Sequence, residues 1–454
     1  MARWVTVWLG MFLVSLGWPG IGVARQGAVS TEIAAKAQTA GVTRVIVQLD
    51  MAATPEGALS SRQAMLAQRQ GIVAAQTEVQ SYLARTDHRV TRQFTTIPFL
   101  ALEAGPDALA ELEQSARVVS VTEDHLHAPL LAQSVHIVEA DQAMNLGFDG
   151  TGMTVAILDA GVDSDHPFLA HKVVSEACFS AGSDCPNGDT TQIGPGAGVP
   201  CTYAEGCQHG THVAGIAAGW TADCFILNQN PPTCGVASGA SLIAIQVLSR
   251  FTGPACRGQG EDPCALTFAS DEIAALEHVF TLRDILQIAS VNMSLGARRF
   301  TTQADCDAAN AGTKAAIDNL RSVGIATVIA SGNDGFGDAL SAPGCISTAV
   351  SVGSTTKADA ISAFSNSAPF LSLLAPGSSI TSSVPGGDFA VLSGTSQAAP
   401  HVAGAWAILK QVSPTATVST VLETLRKTGL PITDPLNGVT TPRIRIFEAL
   451  EALP

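Results

Sequence analysis

Five short apolar runs, at 155–158, 242–248, 288–293, 325–330 and 349–352, are interleaved with helical patterns at 210–219, 270–282, 311–323, 397–411 and 417–428. Runs of this length without polar alternation read as strands buried on both faces. Strands separated by a helix pair in parallel, because parallel neighbours need a long crossover. The crossover helices then cover both faces of the sheet. The pattern predicts an α/β fold, a doubly wound, mostly parallel sheet, over residues 132–454. Low charge (14%) and 42 glycines among 454 residues suit such a compact, tightly turned chain. The formal charge of −15 argues against non-specific binding to nucleic acid or anionic membranes.

Chemistry-bearing residues sit where this fold would expose them. Asp159 directly follows Val155-Ala156-Ile157-Leu158, and the carboxyl ends of strands in open α/β sheets are where ligands collect. His209 opens the small-residue run His209-Gly210-Thr211-His212-Val213-Ala214-Gly215, at the mouth of a helix. Ser396 lies in Ser393-Gly394-Thr395-Ser396-Gln397-Ala398-Ala399-Pro400-His401-Val402-Ala403-Gly404, again at a helix start, where the dipole is positive. A serine hydroxyl attacks only if a base removes its proton as it does so. Asp, His and Ser are the minimum set: Asp orients the imidazole, His takes the proton, Ser attacks. Singly, each has an ordinary reading: a turn aspartate, a structural histidine, an N-cap serine. Together they read as a nucleophile with its base. His212 and His401 are read as structural, and Asp163, Asp165 and His166 as loop and turn residues.

The order Asp159, His209, Ser396 is that of subtilisin, against His-Asp-Ser in chymotrypsin and Ser-Asp-His in α/β-hydrolases. With their strand and helix contexts, the three runs resemble the signature motifs of subtilisin-like serine peptidases (subtilases), and the resemblance spans nearly the whole chain. It implies an endopeptidase acting on proteins or peptides through an acyl-enzyme, as a monomer and without an organic cofactor. Ala326-Thr327-Val328-Ile329-Ala330-Ser331-Gly332-Asn333 is another strand ending in small residues and an amide. By resemblance, Asn333 donates to the oxyanion together with the Ser396 N–H. Val291-Asn292-Met293-Ser294-Leu295-Gly296 is similar to the family's substrate edge, where substrate backbone adds as a strand. Ser294, Leu295 and Gly296 would form one wall of the cleft, and Ala330, Ser331 and Gly332 the other. An apolar side chain before the scissile bond is the expectation for walls this small.

The chain divides into three. Residues 1–24 read as an export signal: Arg3, an apolar core from Trp4 to Trp18 too short to span a bilayer, and Gly22-Val23-Ala24 as a small-residue cleavage site. A membrane anchor is the alternative; no other segment is long and apolar enough to span. The expected location is extracellular. Residues 25–131 lack cysteine and carry a strand-helix-strand-strand-helix-strand order: 42–50, 60–85, two strands within 89–104, 106–114 and 117–124. That order suggests a small α+β ferredoxin-like unit. By resemblance it is the inhibitory propeptide, the chain's own first partner, which leaves its tail in the active site until cut. His125-Leu126-His127-Ala128-Pro129-Leu130-Leu131 reads as extended, and cleavage is expected near Leu131–Ala132. Residues 132–454 form the peptidase, ending in a segment (443–450) similar to the family's last.

The ten cysteines all fall after residue 177, and an even count in an exported chain implies disulfides. The first eight form four close pairs around Gly/Pro/Asn/Asp-rich loops. The expected pairing is sequential: 178–185, 201–207, 224–234, 256–264 and 306–345. Their spacings do not resemble zinc knuckles, and no metal ligand is assigned.

Two departures from the family stand out. Gln397 follows Ser396 where the family usually has Met, so resistance to peroxide is expected. Phe168 follows His166-Pro167 where an acidic calcium ligand is common. The loop from Trp220 to Gly235 carries Cys224 and Cys234 and few carboxylates. There a disulfide is expected to replace one calcium site, with calcium possible elsewhere. The rival functional readings are a non-catalytic relative that keeps the fold as a binding module, opposed by the intact set of four residues, and an esterase-type hydrolase, opposed by the triad order.

Overall fold

Strand propensity and helix caps set the N-terminal unit. The computed structural model describes residues 28–124, 126–129, 134, 136–221, 224, 234–258 and 261–453. The expected export signal and the expected cut at Leu131–Ala132 lie outside them. Helix α1 (Thr31–Ala40) precedes β1 (Thr43–Leu49), α2 (Arg62–Leu83), β2 (His88–Gln93), β3 (Phe99–Ala104), α3 (Pro106–Gln114) and β4 (Val118–Glu123). Ser61 caps α2 by accepting from Ala64 N, and α3 starts at Pro106, whose missing N–H costs nothing there. The four strands pair antiparallel in the order β2-β3-β1-β4. Helix α1 was not foreseen from the sequence. A short strand β5 (Leu126–Pro129) leaves this unit and joins a different sheet.

The larger unit continues through α4 (Ala140–Asn145), β6 (Thr154–Asp159), β7 (Val173–Phe179), β8 (Thr191–Ile193), α5 (His209–Ala218), β9 (Ser241–Gln246), β10 (Ser249–Phe251) and β11 (Cys264–Phe268). Next come α6 (Ala269–Leu282), β12 (Ile288–Met293), β13 (Leu295–Phe300), α7 (Gln303–Ala309), α8 (Ala311–Ser322), β14 (Ala326–Ala330), β15 (Leu340–Ala342) and β16 (Val350–Thr355). The chain ends with β17 (Leu373–Pro376), β18 (Ile380–Val384), β19 (Asp388–Leu392), α9 (Thr395–Val412), α10 (Val418–Thr428), β20 (Leu430–Thr433), β21 (Thr440–Arg443) and α11 (Ile446–Ala452).

Ten strands form the main sheet, in the order β20-β21-β17-β16-β14-β12-β6-β9-β7-β8. All neighbours pair in parallel except the two edges, β20 on β21 and β8 on β7. The five predicted apolar runs are its centre: β6, β9, β12, β14 and β16. Every residue of β6, β12, β14 and β16 is buried, as expected of strands covered on both faces. Helices α6 and α8 lie on one face with Ile273, Leu276, Ile317 and Leu320 in the core. Helices α5, α9, α10 and α11 cover the other, around fully buried Trp406. The outer strands β7, β8, β20 and β21 carry mixed burial and were not read from the sequence. The ten cysteines form the five sequential disulfides expected from their spacing.

The N-terminal unit docks on α6 and α8. Phe94, Ile97 and Phe99 enter the same apolar cluster as Ile273 and Ile317. Polar contacts fix the register: Glu277 accepts from Thr95 N at 3.0 Å and Thr96 N at 2.8 Å, and Asn319 Oδ1 accepts from Glu56 N at 3.2 Å. Arg92 pairs with buried Asp271 at 2.5 Å.

Candidate active site

Parallel strand β6 delivers Asp159 to the carboxyl edge of the sheet, and α5 begins with His209. Both side chains are fully buried. Nδ1 of His209 lies 2.8 Å from Oδ1 and 2.9 Å from Oδ2 of Asp159. Oδ1 also accepts from Ala160 N at 2.7 Å, which fixes the carboxylate's rotation. A carboxylate on Nδ1 keeps the ring's proton there and makes Nε2 the basic nitrogen.

Two other histidines are neutral supports. Burial, and then the neighbouring His209, pushes the His212 imidazole down to about 3. Gln397 Nε2 donates to His212 Nδ1 at 3.1 Å, and His212 Nε2 donates to Ala390 O at 3.2 Å. Burial likewise lowers His401 to about 4. His401 Nδ1 meets Gln397 O at 2.5 Å.

Ser396 lies in the first turn of α9, which follows Gly394. Its hydroxyl donates to Ser294 O at 3.2 Å. In return, Ser294 Oγ donates to Ser396 O at 2.5 Å. The second bond has a cause in the sequence. The helical donor to Ser396 O would be the N–H of residue 400, and Pro400 has none. Ser294 fills that gap, and Asn292 Nδ2 donates to Ser294 Oγ at 3.0 Å. The Ser294 side chain, expected among the substrate contacts, thus supports the helix that carries Ser396. Ser294→Ala leaves a buried carbonyl without its donor. It is expected to lower unfolding stability by about 1–3 kcal/mol, measured as an earlier urea midpoint at unchanged slope. An unchanged midpoint would mean that another donor reaches Ser396 O.

Asn333 sits directly beyond the wall Ala330-Ser331-Gly332. Its Oδ1 accepts from Thr395 N at 2.7 Å and from Thr395 Oγ1 at 2.9 Å. Two donors on one atom settle which end of the amide is oxygen and leave Nδ2 as the end able to donate. Gly332 N donates to Thr395 Oγ1 at 3.1 Å. A Cβ on Gly332, whose φ is +110°, would lie 2.1 Å from Asn366 Nδ2. Asn366 is buried and binds the wall: Nδ2 donates to Ser331 O at 3.2 Å and to Ser341 Oγ at 3.0 Å, and its own carbonyl accepts from Ser331 Oγ at 3.0 Å. Sequence reasoning missed Thr395 and Asn366. Thr395 was signalled only by its place before Ser396; Asn366, 35 residues from Ser331, had no signal.

The other expected wall pairs with the N-terminal unit's tail. Leu295 and Gly296 of β13 lie opposite Pro129 and Ala128 of β5, antiparallel. On its other edge, β5 pairs antiparallel with β11, His127 opposite Thr267 and Leu126 opposite Phe268. One extended strand therefore fills a gap between two strands of the larger unit. Strand β15 pairs with β13, and Ser341 N donates to Ser331 O at 2.9 Å, so both walls belong to one continuous framework.

Comparison with known proteins identifies the family of the chain. The profile described as "Subtilase family" matches residues 150–441. The chain belongs to the subtilase family. It is 30% identical over 347 residues to Subtilisin E of Bacillus subtilis (strain 168), covering 75% of this chain and 78% of that one. It is 33% identical over 326 residues to an alkaline protease of Alkalihalobacillus alcalophilus, covering 71% of each. The protein is accordingly a serine-type endopeptidase, a hydrolase.

Among the described residues of this subtilase no helix is long and apolar enough to cross a membrane. Nor does any group of three or more His, Cys, Asp or Glu among them suit a metal ion. Phe168, at the place where subtilases often carry a calcium ligand, is buried and meets the Phe389 ring edge-on at 5.5 Å. An apolar ring there does not fit calcium. Cys224 and Cys234 are joined in the loop after α5; Asp223 and 225–233 lie outside the described residues.

Proposed function

We propose that this subtilase is made as a secreted, self-processing zymogen. Residues 1–24 direct export, residues 25–131 form an inhibitory ferredoxin-like propeptide, and residues 132–454 are the mature, monomeric peptidase. Ser396 attacks the peptide carbonyl, His209 takes the hydroxyl proton and passes it to the leaving amine, and Asp159 orients His209. Asn333 Nδ2 and the Ser396 N–H hold the oxyanion. Substrate backbone adds between β11 and Leu295-Gly296, with Ala330-Ser331-Gly332 closing the cleft for an apolar side chain. Proteins and peptides are the substrates. No organic cofactor takes part in this scheme, and calcium has no assigned ligands.

The observation that carries the proposal is β5. This strand of the N-terminal unit pairs with β11 on one edge and with Leu295-Gly296 on the other, where the proposal puts a substrate strand, and it ends at Pro129, shortly before the expected cut after Leu131. Expression of the full chain and of Ser396→Ala tests it. The wild type is expected to lose its first ~107 residues after export, N-terminal sequencing then starting near Ala132, and to digest casein. The variant should stay uncut and inert. Equal processing and digestion by both would end the proposal.

Gln397 carries a second expectation. Methionine beside the nucleophile is open to sulfoxide formation, and glutamine is not. Activity of the wild type should persist through hydrogen peroxide treatment, and Gln397→Met should lose activity progressively under the same treatment. Equal inactivation of the two would place the sensitive group elsewhere.

A further inference from the structure

The chain enters His209 through a segment pinned from two sides. Cys201 and Cys207 are joined, and Cys207 is buried two residues before His209. The backbone around Cys201 runs along the turn that follows Asp159. Cys201 N donates to Ala160 O at 2.9 Å, and Val162 N donates to Gly198 O at 2.8 Å. These layers touch without side chains between them. A Cβ on Gly161, whose φ is +90°, would lie 2.1 Å from Val199 O, and a Cβ on Gly210 would lie 2.1 Å from Gly161 O. Three pieces of backbone are thus stacked: 198–201, 160–162 and the first turn of α5. From the other side comes Glu261, in the loop closed by Cys256 and Cys264. Its carboxylate accepts from Glu205 N at 2.6 Å and Gly206 N at 3.2 Å. Those two residues begin the 3-10 turn Glu205–Gln208, which runs straight into α5.

We propose that the Cys201–Cys207 disulfide and Glu261 are positioning residues for His209. They hold the start of α5 at the distance from β6 at which Nδ1 meets Asp159. The inference rests on Asp159, His209 and Ser396 being the triad. His209 is the first residue of its helix, so its imidazole goes where the preceding turn puts its Cα. Neither the disulfide nor Glu261 is among the residues proposed to bind substrate. Misplacing a catalytic group by about 1 Å costs on the order of 100-fold in rate. The disulfide spans a separation of only 6 residues, so it constrains the unfolded chain weakly compared with long loops. Its removal should therefore register in turnover more than in stability.

The test compares mature Cys201→Ser/Cys207→Ser, Glu261→Ala and Glu261→Gln with Cys178→Ser/Cys185→Ser. The last pair closes a loop of similar span, a separation of 7, at the outer strand β7. Hydrolysis of a chromogenic peptide is followed from about pH 5 to 10, so that the titration of the base is read directly. Loss of Cys201–Cys207 is expected to cut kcat roughly 10- to 100-fold with KM held within about twofold, and to move the acid limb of the kcat profile. Glu261→Ala should lower kcat several-fold, and Glu261→Gln, which keeps one acceptor, should restore part of it. The Cys178–Cys185 pair should lower Tm by a similar amount and leave kcat and its pH profile unchanged. The inference is overturned if kcat and its profile are unchanged in the first two variants, or if kcat falls in step with Tm in both disulfide pairs alike. Glu261→Ala decides alone if the first double variant does not fold. A wild type that hydrolyses nothing, or a Ser396→Ala that remains active, overturns the triad assignment itself and is a different outcome from either.

Discussion

Replacing Ser396 with alanine is expected to lower kcat for peptide hydrolysis by about six orders of magnitude, the size known for loss of the serine or histidine in subtilisin itself. The comparison follows from the proposed triad, in which His209, held by Asp159 at 2.8 Å, is the base. Without the hydroxyl there is no acyl-enzyme, and His209→Ala should cost a similar factor, since members of the set do not act independently. The double variant should then be little worse than either single one. Under the proposed zymogen scheme Ser396→Ala does not release its own N-terminal unit, so the variant is processed in trans by a trace of wild type. Activity is then measured after that trace is inhibited. A loss of only tenfold would show that another group makes the first bond.

Asn333→Leu should lower kcat by about 10²–10³, or roughly 2.7–4 kcal/mol, with KM little changed; this is the magnitude established for subtilisin's oxyanion-hole asparagine, the role proposed for Asn333. The structure adds a second variant. Thr395 holds Asn333 Oδ1 through both its N–H and its hydroxyl. Thr395→Val deletes one of those donors and the acceptor used by Gly332 N. A loss of up to about tenfold in kcat is expected, the equivalent of one hydrogen bond. Stopped assays at saturating peptide separate the two effects from binding. If Asn333→Leu raises KM and spares kcat, its amide serves the ground state and not the oxyanion.

The parts of this molecule that were legible in its sequence share one property: they depend on neighbours in the chain. The runs that became β6, β9, β12, β14 and β16 were readable because burial on both faces leaves an unbroken apolar signature. The local settings of Asp159, His209 and Ser396, a strand end and two helix starts, were readable from the runs around them. The five disulfides were readable because four of them close loops of ten residues or fewer. What escaped depends on distant partners. Strand β7 begins with exposed and half-buried positions and has no apolar run. Ser294 serves a carbonyl freed by Pro400, and nothing near Ser294 announces that. Asn366 binds a wall far from it in sequence. Gln397 was recognised as unusual, but its bond to His212 became visible only in three dimensions.

The gap between β11 and β13 admits one strand, paired on both of its edges. A polypeptide can enter only after giving up whatever pairing it had, over about four residues or more. A helix or a sheet strand in a folded protein must first open to do so. For a native substrate, then, the rate of digestion should follow how often the target segment opens, and so the target's own local stability. Sequence preference chooses among the segments already open. On the proposed substrate path, the selectivity of this enzyme toward folded proteins is in that sense written in its substrates, with the narrow two-edged slot serving as the gauge that reads it.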